Sequence, residues 1–142
     1  MKISARNLLR GTVSRVEVGA VNSEVDVALA SGDVLVAIIT NRSVETLGIA
    51  AGSEVIALVK ASTPLIQTDA SGYRLSARNN LRGTVKSVTP GAVNAEVILS
   101  LAGGTDLCVI ITNDAVRDLE LAEGTAATAV IKASAIILGV PS

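Results

Sequence analysis

The stretch Glu24-Val25-Asp26-Val27-Ala28-Leu29 places an apolar side chain at every second position, the period of a strand with one face buried and the other turned to solvent. The same alternation returns at Val97, Leu99 and Leu101. Val34 to Ile39 is a continuous apolar run, which reads as a strand buried on both faces, and Ser31-Gly32 before it reads as a hairpin turn. Val55 to Val59 gives a further strand and Leu65-Ile66-Gln67 a last short one. The only helix signal is brief: Asn41 as N-cap, Val44 and Leu47 three apart, and Gly48 as the terminating glycine. Asn113, Val116 and Leu119 repeat it, with Glu120 in place of the glycine.

These echoes belong to one repeat. Ser4-Ala5-Arg6-Asn7 reappears as Ser76-Ala77-Arg78-Asn79, and an offset of 72 then holds without a gap. Gly11-Thr12-Val13 matches Gly83-Thr84-Val85, Gly19-Ala20-Val21-Asn22 matches Gly91-Ala92-Val93-Asn94, and Lys60-Ala61-Ser62 matches Lys132-Ala133-Ser134. About half of the positions in the first copy are identical to their counterparts, which marks a duplicated domain and not a solenoid. The expected organisation is a module over residues 1–67, a turn-rich joint over 68–73 and a second module over 74–142. The fold class is mainly β: two tandem OB-like five-stranded β-barrel modules, each with one short helix.

Composition limits what such modules can do. Hydrophobic residues make up 49% of the chain, yet Trp and Phe are absent and Tyr73 is the only aromatic, so the core is aliphatic and thin. Mean hydropathy is nevertheless +0.56, which points to burial between modules or between chains. Twelve Lys and Arg balance 13 Asp and Glu, so no positive field collects nucleic-acid phosphates. Single-stranded nucleic acid, a common guest of OB-like barrels, needs aromatic stacking platforms that are missing. Cys108 lies alone in an apolar run and reads as a buried, inert thiol in a reducing compartment. No apolar leader and no membrane-length apolar run occurs, so a cytoplasmic protein without a membrane partner is expected.

The chain has no His, no Cys pair and no Ser-His-Asp set, so it is not expected to be an enzyme or to hold a transition-metal cation. What repeats is a set of hydrogen-bond donors. Ser4 and Arg6 recur as Ser76 and Arg78, Lys60 and Ser62 as Lys132 and Ser134, Thr40-Asn41 as Thr112-Asn113. Thr40-Asn41 sits where a strand enters a helix, leaving the N–H groups of Arg42, Ser43 and Val44 as orphan donors at a positive helix end. Singly, each residue has an ordinary explanation as a solvated charge, a strand-end lysine or a cap. Packing explains retained Val and Gly, but it explains a retained Arg poorly.

The ordered set Ser4-Ala5-Arg6-Asn7, Gly11-Thr12-Val13, Gly19-Ala20-Val21-Asn22, Ile39-Thr40 and Lys60-Ala61-Ser62, present twice, resembles the Mop-type molybdate-binding domain in its tandem form, the di-domain molbindins. The resemblance covers essentially the whole chain. It implies an OB-like fold, assembly as a homotrimer, and molybdate held between modules for storage, buffering or homeostasis, with no catalysis. One class of site would use Ser4, Ala5 and Arg6 from one module with Thr40, Ser43, Lys60 and Ser62 from another. Its counterpart would use Ser76, Ala77 and Arg78 with Thr112, Lys132 and Ser134. Ala115 stands where the first copy has Ser43, so one hydroxyl is lost there. A second class, near a three-fold axis, would use backbone donors around Ala20-Val21-Asn22 and Ala92-Val93-Asn94.

Chemistry favours the same ligand. A tetrahedral dianion offers acceptors only, so an all-donor pocket satisfies it, whereas monohydrogen phosphate carries a proton with no acceptor to receive it. Tungstate, nearly equal in size and charge, should bind as a near-equivalent. A purely structural assembly module remains the competing expectation, separable by titration with molybdate.

Overall fold

A computed structural model describes residues 1–142. Ten strands, two short helices and one 3-10 turn at Ala133–Ala135 follow one another along the chain. The first half supplies β1 (Asn7–Val18), β2 (Asn22–Leu29), β3 (Val34–Thr40), α1 (Asn41–Leu47), β4 (Glu54–Val59) and β5 (Leu65–Gln67). The second repeats them as β6 (Asn79–Pro90), β7 (Asn94–Leu101), β8 (Asp106–Thr112), α2 (Asn113–Asp118), β9 (Ala126–Ile131) and β10 (Ile137–Gly139).

Each sheet is built on one long strand that serves two neighbours. β1 pairs with β4 through Asn7–Thr12 and with β2 through Gly11–Val18, and the register slips between Val13 and Arg15. An extra residue at such a bulge bends the strand and increases its twist, which curls the sheet. At the crossover Gly11 has no substitute, because a Cβ there would stand 2.6 Å from the Ala28 carbonyl oxygen; at Gly83 the equivalent distance to Ser100 is 2.5 Å. The expected alternation holds on β2, with Val25, Val27 and Leu29 buried. β3 departs from the expectation of burial on both faces. Leu35 and Ala37 are fully buried, while Val34 is 45% exposed and Val36 and Ile38 are half-buried, because only one face of the strand meets the core.

The two sheets do not follow the two halves of the sequence. Their strand orders are β10-β4-β1-β2-β3 and β5-β9-β6-β7-β8, so the last short strand of each half completes the sheet of the other. β5 runs against β9 with Leu65 opposite Val130, and β10 against β4 with Ile137 opposite Leu58. A single core cluster of 22 residues draws on both halves, from Val13, Val25 and Leu35 to Val97, Leu107 and Ile136. The thin aliphatic core expected of each module is thus one shared core.

Two buried asparagines fasten the halves together. Asn7 Nδ2 donates to the Val59 carbonyl at 3.1 Å and to the Cys108 carbonyl at 2.8 Å, while its Oδ1 accepts from the Cys108 N–H at 2.8 Å. Asn79 does the same in mirror order, to Ile131 at 3.2 Å and to both backbone groups of Val36 at 2.7 and 2.8 Å. Each asparagine therefore ties its own sheet to an outer strand of the other.

Candidate functional site

The repeated donors collect at two corners where the halves meet. Asn7 faces Val59 across the β1–β4 ladder, so Arg6 and Lys60 are the next residues beyond it on the two adjoining segments. The chain then turns, with Thr63 N–H bonding back to the Lys60 carbonyl and the Ala61 carbonyl accepting from Ile110 N–H of β8 at 2.8 Å. Arg6, Lys60 and Ser62 are exposed, Ala5 is half-buried and Ala61 is buried. The N–H groups of Lys60, Ala61 and Ser62 have no acceptor within the protein. Thr112 lies two residues past Ile110 on the strand that this corner touches. The second corner carries Arg78, Lys132 and Ser134 against the first half, with Thr40 at the end of β3. Ser4 and Ser76 lie exposed on the segments leading into the two corners, and Ala77 is half-buried there. Arg6 and Lys60 thus share a corner within one chain, and it is the Thr112 strand of the other half that faces them.

Each arginine already has a partner. Arg6 Nη1 donates to Glu96 at 3.2 Å, and Arg78 Nε forms an ion pair with Glu24 at 2.9 Å, both across the junction between halves. Glu24 and Glu96 stand at the repeat offset, so the signal that marks the arginines also marks their carboxylates; an acid does not fit a donor-only pocket and is easily passed over. Cys108, half-buried here, has its thiol pushed up by burial, with the Glu96 charge adding to the effect and Arg6 opposing it. It stays protonated at neutral pH.

The helix ends differ from expectation. Thr40, not Asn41, is the N-cap: its backbone is extended, and its Oγ1 accepts from Ser43 N–H at 3.1 Å. Thr112 caps Ala115 N–H in the same way at 3.0 Å. The Ser43 donor expected to be free is therefore occupied, and α1 has only seven residues. Asn41 already has helical backbone, which turns its side chain back toward the β1–β2 turn. There Nδ2 donates to the Gly19 carbonyl at 2.8 Å, and Asn41 N–H to the Val21 carbonyl at 2.8 Å. Ala20, Val21 and Asn22 are exposed, as are Ala92, Val93 and Asn94, and the N–H groups of Ala20, Val21, Ala92 and Val93 bond to nothing in the protein.

A groove bounded by Arg10, Leu29, Glu54, Ile56 and Val140 lies elsewhere, beside the β1 crossover, and none of Ser4, Arg6, Thr40, Lys60, Ser62 or their counterparts lines it. Size alone does not make it the site, since a small anion needs convergent donors and little volume.

The family profile described as TOBE domain matches residues 3–63 and again 75–138. The chain belongs to the TOBE-domain family. It is 46% identical over 141 residues to the molybdenum-pterin-binding protein MopA of Rhodobacter capsulatus, covering 99% of this chain and 53% of that protein. The molybdenum transport protein ModE of Herbaspirillum seropedicae is 43% identical over 140 residues, covering 99% and 52%. The chain thus spans about half the length of these relatives. Molybdenum-pterin-binding protein 3 of Clostridium pasteurianum, with 47% identity over 64 residues, matches 45% of the chain with 94% of its own length. The solved structure of the cytoplasmic molybdate-binding protein ModG, with molybdate bound, superposes with a TM-score of 0.94 at 58% identity, covering 99% of this chain and all of that one. The tandem TOBE organisation and the two OB-like curled sheets are therefore those of a solved two-domain relative.

Proposed function

We propose that this tandem TOBE protein binds molybdate reversibly, without chemical change, and accepts tungstate as a near-equivalent. The observation that carries the reading is the corner of Arg6 and Lys60, whose neighbouring N–H groups at Lys60, Ala61 and Ser62 have no acceptor, with Arg78 and Lys132 repeating the pair in the second half. Two cationic side chains and a run of unused N–H donors match a dianion that can only accept. Ser4, Ser62, Thr112 and their counterparts Ser76, Ser134 and Thr40 would add hydroxyl donors from both sides of the junction. The exposed turns at Ala20–Asn22 and Ala92–Asn94 would form a second, backbone-only class of site. ModG is a cytoplasmic molybdate-binding protein; we extend the proposal to intracellular molybdenum storage, buffering or homeostasis by this chain, assembled as a homotrimer.

The test is calorimetric titration with molybdate, tungstate, sulfate and phosphate. Heat with the first two at roughly micromolar concentration, with little from phosphate, is the expected result. Arg6→Ala should remove part of the molybdate signal. Silence with all four anions would leave a purely structural module as the reading.

A further inference from the structure

The two turns that present free N–H donors are supported unequally. In the first half Ser23, 1% exposed, donates from Oγ to Asn41 Oδ1 at 2.6 Å. That bond settles which end of the Asn41 amide faces which way, so Nδ2 is committed to the Gly19 carbonyl. A trans peptide holds its C=O and N–H pointing in opposite directions, so drawing the Gly19 oxygen inward turns the Ala20 N–H outward. Ser23 thus acts on the turn through Asn41 without reaching the surface itself.

In the second half the corresponding residue is Ala95, also 1% exposed. Asn113 still donates from Nδ2 to the Gly91 carbonyl at 2.9 Å, but its buried Oδ1 has no partner, and it is the one buried side-chain polar atom of the protein in that condition. The orphaned oxygen removes the interaction that distinguishes the correct amide orientation from its alternatives. An unmade bond at a buried acceptor also favours conformations that carry it toward water. The loss of hydroxyls in this half extends to Ala115, which stands where Ser43 bonds Thr40 Oγ1 at 2.9 Å.

We infer that Ser23 is a positioning residue for an anion-binding turn at Ala20–Val21, and that Ala95 makes the equivalent turn at Ala92–Val93 the weaker of the two. The inference rests on the proposed oxyanion binding and deepens it: one chain offers two backbone sites of different affinity, filled in sequence. A donor set ordered before the ligand arrives loses less on binding than one populated only part of the time.

The experiment is a titration of the full chain with sodium molybdate, followed residue by residue in amide NMR spectra. The Ala20 and Val21 signals should reach half-shift at about two- to tenfold lower molybdate than those of Ala92 and Val93, the factor expected for one hydrogen bond of support. Ala95→Ser should bring the second turn to the concentration of the first, and Ser23→Ala should bring the first to that of the second. Equal titration of both turns in the unaltered chain overturns the inference. So does a gap untouched by either substitution while the melting temperature moves, since that assigns Ser23 a structural role only. If signals around Arg6 and Lys60 shift while none of the four turn amides does, the turns bind no anion and the inference fails with the proposed function intact. If no signal shifts, both fail.

Discussion

Arg78 and Glu24 sit 2.9 Å apart across the junction between the two halves, and Arg6 and Glu96 repeat the contact at 3.2 Å. The arginines proposed to meet a dianion are thus engaged by carboxylates of their own chain. Such pairs, more than half exposed on the arginine side, contribute little to stability but compete directly with an incoming anion. Glu24→Gln and Glu96→Gln should each tighten molybdate by roughly two- to fivefold in calorimetric titration. Weaker binding in the variants would instead give the carboxylates the task of holding the arginines in place.

The asparagine clamps carry a larger stake. Asn7→Asp keeps shape and size but removes both Nδ2 donors, leaving the Val59 and Cys108 carbonyls without them and placing a carboxylate in the core. A loss of about 3 kcal/mol or more is expected, read from urea unfolding, and Asn79→Asp should cost as much. A loss below about 1 kcal/mol would mean that the halves are held by the shared core alone.

Glu120 occupies the left-handed position that Gly48 fills in the first half, with φ of 51° against 65°. Only glycine adopts that conformation without cost. Glu120→Gly should therefore stabilise the protein by up to about 1 kcal/mol, and Gly48→Ala should destabilise it by a similar amount, each seen as a few degrees in Tm.

Asp33 gives the fold an acid-sensitive contact. It accepts from Gly103 N–H at 2.8 Å, Thr105 N–H at 3.2 Å and Ser31 Oγ at 3.0 Å, joining the hairpin of one half to that of the other. Burial pulls its carboxyl up, but hydrogen bonds from the Thr105 side chain, the two backbone groups and Ser31 outweigh that and hold it below the ordinary 3.8. A depressed folded value means the contribution is fully present above the unfolded value and is lost as pH falls through the folded one. Asp33→Asn should lower the urea midpoint near neutrality and flatten its decline below about pH 4. An unchanged acid limb would show that other carboxylates govern it.

Much of this was readable from residues because the signals are local. Alternation at Val25, Val27 and Leu29 depends on the strand alone, and the offset repeat needs no structure at all. The destination of β5 and β10 was not readable, for a physical reason. Leu65-Ile66-Gln67 is three residues long, and β4 and β9 present it with near-equivalent edges, so pattern cannot tell pairing within a half from pairing between halves. Two capping residue types stand side by side at Thr40-Asn41, and only backbone geometry separates the N-cap Thr40 from its neighbour. Of the candidate site, the donors were legible as a repeated set. Their grouping was not, since Arg6 meets Glu96 through a symmetry that joins residues 90 apart.

The exchange of β5 and β10 also bears on how such a chain can change over time. Each half lends a strand to the other under a near two-fold relation, so the chain has the form of a homodimer written into a single gene. In a true homodimer every substitution appears on both sides at once. In the fused chain it appears once, and the two sides can part: Ser23 from Ala95, Ser43 from Ala115, Gly48 from Glu120. Covalent linkage thereby converts one site duplicated by symmetry into two that selection can tune separately, while the borrowed strands keep either half from drifting away from its partner.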